Sequence, residues 1–184
     1  MMFAIITNDL QHAAAYKSQE RTTSYKKIER NLIELFSLAR EKNIPVIHLL
    51  LTVPEDDAKS QGKPQHLLFI SGTTGHAILP EVHDEIDIIV NKPKDSGFYN
   101  TNLHEKLIEL NVDTVIVVGM QTQICIQTTS ADAYFRGYKV IVPRDCVCST
   151  RAEDTERSLK WLEDYCASVV LFDELKASLE HVHA

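Results

Sequence analysis

No stretch of this 184-residue chain approaches the roughly 20 consecutive apolar residues that a helix needs to cross a bilayer. The opening residues, Met1-Met2-Phe3-Ala4-Ile5-Ile6-Thr7, carry neither a basic leader nor a small-residue cleavage site. They read as a buried strand. Basic residues are in deficit: 19 Lys and Arg against 26 Asp and Glu give a formal charge of −7. That balance argues against nucleic acid or an anionic membrane as a partner. Cysteine is sparse, with four in all. Cys146 and Cys148 stand one residue apart, but a structural zinc site usually draws on two ligand pairs, and no second pair follows. With no export signal, the expected location is the cytoplasm, where all four thiols stay reduced. Internal repeats, low-complexity tracts and linkers are missing too.

What remains is an ordinary globular composition, 44% apolar and 24% charged, at a length that suits one α/β domain with a substantial core. Short runs rich in Val and Ile recur at Phe3 to Thr7, Val46 to Leu51, Ile86 to Val90, Val112 to Val118, Tyr138 to Val142 and Ser168 to Phe172. They show little in/out alternation, which is how strands buried on both faces of a parallel sheet read. Helical patterns lie between them. From Ile28, the positions Leu32, Leu35, Phe36 and Ala39 recur at helical spacing. Further helices are expected from Asn100-Thr101, from Thr122 (as N-cap) to Gly137, over Ala152 to Tyr165, and in the tail from Asp173. Strands alternating with helices imply βαβ units and a three-layer α/β/α sandwich. The long stretch from Thr52 to about Pro80, with two prolines and three glycines before its end, is either functional or loosely held.

In an open α/β sheet, ligands bind beyond the carboxyl ends of the strands. Asn8-Asp9-Leu10-Gln11 follows the first run, Asn91-Lys92-Pro93-Lys94 the third, and Gly119-Met120-Gln121-Thr122-Gln123-Ile124-Cys125 the fourth. An acid, a base and a thiol therefore emerge at one edge of the sheet. A cysteine in a first helical turn lies beside unpaired N–H groups and the positive end of the dipole. Such a setting, with a lysine close by, lowers a thiol pKa from about 8.5 to roughly 3.5–7.5. The same N–H groups can receive a developing oxyanion. Taken one at a time, each residue also has a plain reading: Cys125 as small core filler, Asp9 as a turn cap, Lys92 as a solvated loop lysine.

The segments Gly119 to Thr129, Ala131 to Val140, Lys92-Pro93-Lys94-Asp95-Ser96-Gly97-Phe98 and Ser71 to Glu81 resemble the isochorismatase-like cysteine hydrolases. That family includes nicotinamidases and N-carbamoyl amidohydrolases. The resemblance runs from the first strand to about Thr150. It implies a single domain over residues 1–184 and a six-stranded, mainly parallel sheet in the order 3-2-1-4-5-6. The site would lie where the order reverses, between the first and fourth strands. It further implies Cys125 as nucleophile, Asp9 as general base and acid, and Lys92 as their electrostatic partner. The oxyanion hole would use N–H groups near Cys125 and a cis peptide joining Met120 and Gln121. The product would come from C–N hydrolysis of a small amide, ureide or carbamoyl compound through a thioester.

The departures from the pattern also matter. Asn8 stands where the family usually has an apolar residue before the aspartate. Nicotinamidases carry an Asp and histidines after the second strand to hold a metal, whereas this chain has Leu49-Leu50-Leu51-Thr52-Val53, with His48, His66, His76 and His83 scattered. No metal and no other cofactor is expected. Gln11, Phe98, Tyr99, Gln121 and Gln123 are the candidate pocket residues. The resemblance implies a small-molecule substrate and a homo-oligomer, a dimer or larger. Two other readings remain open: a catalytically silent binding or assembly module, and a redox sensor in which Cys146 or Cys148 resolves an oxidised Cys125. The second requires Cα atoms within about 7 Å.

Overall fold

The computed structural model describes residues 2–180, so Met1 and residues 181–184 of the expected domain lie outside it. The strands are β1 (Phe3–Asn8), β2 (Val46–Leu51), β3 (Ile88–Lys92), β4 (Thr114–Met120), β5 (Lys139–Pro143), β6 (Val147–Cys148) and β7 (Ser168–Val170). Helices α1 (His12–Ala15), α2 (Gln19–Glu41), α3 (Leu103–Glu109), α4 (Gln127–Phe135), α5 (Ala152–Tyr165) and α6 (Phe172–Glu180) alternate with them. All strand pairs are parallel, in the order β3-β2-β1-β4-β5-β7, with the two-residue β6 pairing β4. This is the expected order; the sixth run of the sequence becomes the seventh strand because β6 intervenes.

Alternation along each central strand feeds two cores, since successive side chains point to opposite faces of the sheet. Ile5, Ile116 and Val118 pack with Leu32, Phe36, Phe172 and Leu175 on the α2 and α6 side. Ala4, Ile6, Val115 and Val117 pack with Leu103, Leu107, Ala133 and Leu162 on the α3, α4 and α5 side. The layers are helix, sheet, helix.

Several boundaries differ from the sequence reading. The third strand is shifted two residues onward, because the register with β2 runs from Ile47↔Ile88 to Leu51↔Lys92. Asn91 and Lys92 therefore lie inside the strand, and Ile86 is 71% exposed before it. The fourth strand starts at Thr114, since the N–H of Val112 is spent on the Leu107 carbonyl in closing α3. The last run stops at Val170. Phe172 opens a helix instead, because its N–H donates to Asp145 Oδ1 at 2.8 Å and Phe172, Leu175 and Leu179 share one buried face. Thr122 is not an N-cap: residues Thr122–Ile126 form a turn of π-helix that precedes α4, capped by Gln121.

The 52–80 stretch is held rather than loose. The N–H groups of His12 and Ala13 donate to Ala77 and Gly75, and that of Leu79 donates to Leu10. The Gln11 side chain adds bonds to the His76 and Leu51 carbonyls. The stretch is thereby fixed against the exit of β1, beside the carboxyl edge of the sheet.

Candidate active site

Asp9 leaves β1 in the left-handed region, with φ of 54°, and its N–H donates to the Leu49 carbonyl at 3.0 Å. Aspartate tolerates that conformation better than most residues. Beside it, Gly119 has φ of 110°, and a Cβ there would stand 2.4 Å from the Asn8 carbonyl oxygen. Only glycine lets the ends of β1 and β4 approach so closely. That approach brings the Asp9 turn and the Cys125 turn together.

Lys92 is fully buried, and its Nζ lies 3.1 and 3.2 Å from the two Asp9 carboxylate oxygens. It also donates to the backbone carbonyls of Lys94 and Asp95 at 3.3 and 3.1 Å. Burial works against the ammonium, but the charges of Asp9 and Cys125 more than offset it, and the net direction is upward. Lys92 is thus a charged group held inside the protein by a carboxylate. Asp9, 5% exposed, also accepts from the Leu51 N–H at 3.2 Å.

Cys125 is 5% exposed and lies within the π-helical turn, which follows a cis Met120–Gln121 peptide. Its Sγ has Asp95 Oδ1 at 3.9 Å. Burial pushes the thiol well above the usual cysteine range, the Asp9 carboxylate adds to the rise, and Lys92 opposes it. This reverses the lowered value expected from a first-turn cysteine. Desolvation of a nearly buried sulfur outweighs one lysine whose charge is already matched by Asp9. The raised thiol thus lies beside an Asp9–Lys92 ion pair.

Asn8 has a definite place in this arrangement. Its Oδ1 accepts from Thr129 Oγ1 at 3.1 Å, and Thr129 Oγ1 accepts from the Gly97 N–H at 3.0 Å. The chain Gly97–Thr129–Asn8 ties the lysine loop to α4 and to β1. An apolar residue at position 8 offers no acceptor for it.

The candidate pocket residues divide. Gln11 is fully buried and its amide is spent on backbone groups of Leu51 and His76. Gln121 Oε1 accepts from the N–H and hydroxyl of Thr150, and Gln123 Oε1 accepts from Ser149. Phe98 is buried in the second core, stacked on Tyr138 with the Arg136 guanidinium over its ring. Tyr99 is 52% exposed. Gln11 and Phe98 are thus committed to the frame, whereas Gln121 and Gln123 are each held through Oε1 alone. Asp95 was not singled out, although it lies three residues after Lys92 in the same loop, and that short spacing was the available signal.

The residues present do not fit a catalytic metal. Among the described residues no group of three or more His, Cys, Asp or Glu is placed to hold one. His48 is buried within β2, with Nδ1 2.9 Å from Thr7 Oγ1 and Nε2 3.1 Å from Asp87. His76 meets Thr52 Oγ1 at 2.8 Å. Cys146 and Cys148 belong to the first core, where burial pushes both thiols up, that of Cys148 to about 12. Among the described residues no helix is long and apolar enough to cross a membrane.

Comparison with known proteins bears on the family and the fold. The isochorismatase domain model matches residues 3–174. The uncharacterized isochorismatase family protein YaaI of Bacillus subtilis is 41% identical over 91 residues, half of this chain and 48% of that one. Nicotinamidase 3 of Arabidopsis thaliana is 28% identical over 159 residues, 84% of this chain and 80% of that one. The matched region therefore spans about half the length of the first of these curated relatives and most of the second. Among solved structures, an isochorismatase-like hydrolase from Alkaliphilus metalliredigens superposes with a TM-score of 0.86 at 28% identity, covering 97% of this chain and 99% of its own. From the family match and the shared fold together, the chain belongs to the isochorismatase family.

Proposed function

We propose that this protein is a cysteine hydrolase that cleaves the C–N bond of a small amide, ureide or carbamoyl compound. The observation that carries the reading is the fully buried Lys92 ammonium bridging Asp9 beside the Cys125 thiol. A buried charge is costly unless paired, and this one sits where acid, base and nucleophile meet. Nicotinamidase 3, an amide hydrolase by name, supports the reaction class.

In the proposed cycle Asp9 accepts the thiol proton as Sγ attacks the carbonyl carbon. The resulting oxyanion is received by N–H groups of the turn holding Met120, Gln121 and Cys125. Asp9 returns its proton to the departing nitrogen, the C–N bond breaks, and a thioester remains on Cys125. Asp9 then takes a proton from water, which attacks the thioester and releases the acid. The thiol recovers its proton from Asp9. Lys92 holds the Asp9 carboxyl in place through the cycle.

The reading extends to a single domain over 1–184 acting in the cytoplasm as a homo-oligomer, with no cofactor in the cycle. Its test is ammonia release from a panel of small primary amides and ureides, with intact-mass trapping of the thioester. Turnover that disappears in Cys125→Ala supports the proposal; turnover unaffected by that change sinks it.

A further inference from the structure

Asp95 is an ionisable group in contact with the thiol that the proposed cycle leaves unused. The Lys92 ammonium pins its backbone through the Asp95 carbonyl at 3.1 Å, which orients the loop. The residue is exposed, yet its Oδ1 reaches to 3.9 Å from Cys125 Sγ, and no ion pair engages it among the described residues. Asp9, by contrast, has its charge matched by Lys92 at 3.1 Å. A carbon poised for attack sits about 3–3.5 Å from the attacking atom. Whatever flanks that carbon on the Asp95 side then lies within hydrogen-bonding reach of the carboxylate.

We propose that Asp95 determines specificity, selecting molecules whose flank beside the scissile carbonyl carries an N–H donor or a protonated amine and turning away those with a carboxylate there. This deepens the hydrolase reading and rests on it for the scissile group. A charge-assisted hydrogen bond rewards the donor, and like-charge contact penalises the carboxylate. Arg21, half-buried on α2 and donating to the Ala14 carbonyl at 3.4 Å, also acts on Asp9 and the thiol. It is unchanged in the comparison below, so a difference there belongs to Asp95.

The experiment labels Cys125 with three methanethiosulfonates, a cationic (trimethylammonioethyl) and an anionic (sulfonatoethyl) reagent of comparable size and a smaller neutral one (methyl). Rates are followed by peptide mass spectrometry in the unaltered protein, Asp95→Asn and Asp95→Ser. Taking the ratio of cationic to anionic rates cancels any change in thiol acidity common to all reagents. The expected result is a fall in that ratio of about fivefold or more in both variants. An unchanged ratio overturns the proposal. In parallel, kcat/KM for β-alaninamide over succinamate is expected to drop about tenfold in Asp95→Asn. If no amide is turned over and the labelling ratio still falls, charge selection stands and the hydrolase reading falls by itself.

Discussion

Lys92 occupies a position that few lysines tolerate, with no exposed surface and its ammonium inside the sheet edge. Removing one partner of such a pair leaves an uncompensated buried charge, at a cost of about 3–5 kcal/mol. Asp9→Asn, which strands the ammonium, is therefore expected to lower urea stability by that order and to cut turnover at least about a thousandfold, since every proton transfer of the cycle runs through Asp9. Comparing the urea midpoint with ammonia release in one preparation checks both. The thiol supplies a second prediction. Because burial and Asp9 raise it and Lys92 opposes them, iodoacetamide labelling of Cys125 should rise through an apparent pKa above the free value of about 8.5. Lys92→Met removes the cation that opposes the rise and should move that midpoint higher still. A midpoint below 8.5, measured by pH-dependent labelling, would mean the thiolate is preformed and that attack needs no accompanying proton transfer.

Among elements, the tie that fixes β2 against its neighbours is a line of four side chains, Thr7, His48, Asp87 and Arg40. Arg40 on α2 and His48 on β2 both hold Asp87, at 2.6 and 3.1 Å. Burial pushes the His48 pKa down, and Asp87 only partly opposes this. A histidine with a depressed folded pKa binds fewer protons folded than unfolded near its unfolded value of about 6.5. Its contribution to stability is complete above that pH and is lost as pH falls toward the lower folded value. Asp87 itself is held well below the usual range: burial works the other way, but its bonds to His48 and Arg40 prevail. Its contribution is therefore lost only at more acid pH. Urea unfolding at pH 7 and pH 5 should show a drop that shrinks in His48→Gln, and that variant should lose about 1–3 kcal/mol at pH 7 from unmatched buried partners. Identical pH slopes in the two proteins would remove His48 as the source.

Over the whole molecule, the absence of any clustered donor set among the described residues predicts that EDTA leaves ammonia release within about twofold of the untreated protein. Loss of activity on chelation, restored by a divalent ion, would overturn the metal-free cycle. The proposed homo-oligomer is checked by sedimentation velocity, with a species of at least two chains expected at micromolar concentration.

Six apolar runs and the helical patterns between them were enough for an α/β/α sandwich with a parallel sheet; the strand order came from the family resemblance. Burial on both faces leaves Val- and Ile-rich runs with little alternation, and the helical patterns between them favour a parallel sheet. The same reading placed Asp9, Lys92 and Cys125 at one edge of the sheet, because parallel strands all end on the same side. Strand ends were misplaced where polar residues continue the ladder, as at Asn91-Lys92, or where an apolar residue opens a helix, as at Phe172. Local hydrophobicity cannot see a backbone partner across the sheet. Roles were less legible than positions. Gln11 and Phe98 looked like pocket residues until packing showed the amide and the ring committed to the frame. Asn8 had no reading until Thr129, 121 positions away, was found donating to it. The thiol acidity went the wrong way because residue type and helix position are local, while desolvation is a property of everything packed around the sulfur. Sequence alone thus determined the main alternation of strands and helices and which edge carries the candidate residues. Tertiary structure alone decided which of those residues are buried, paired or free, since burial and pairing depend on distances that the chain fixes only when it is folded.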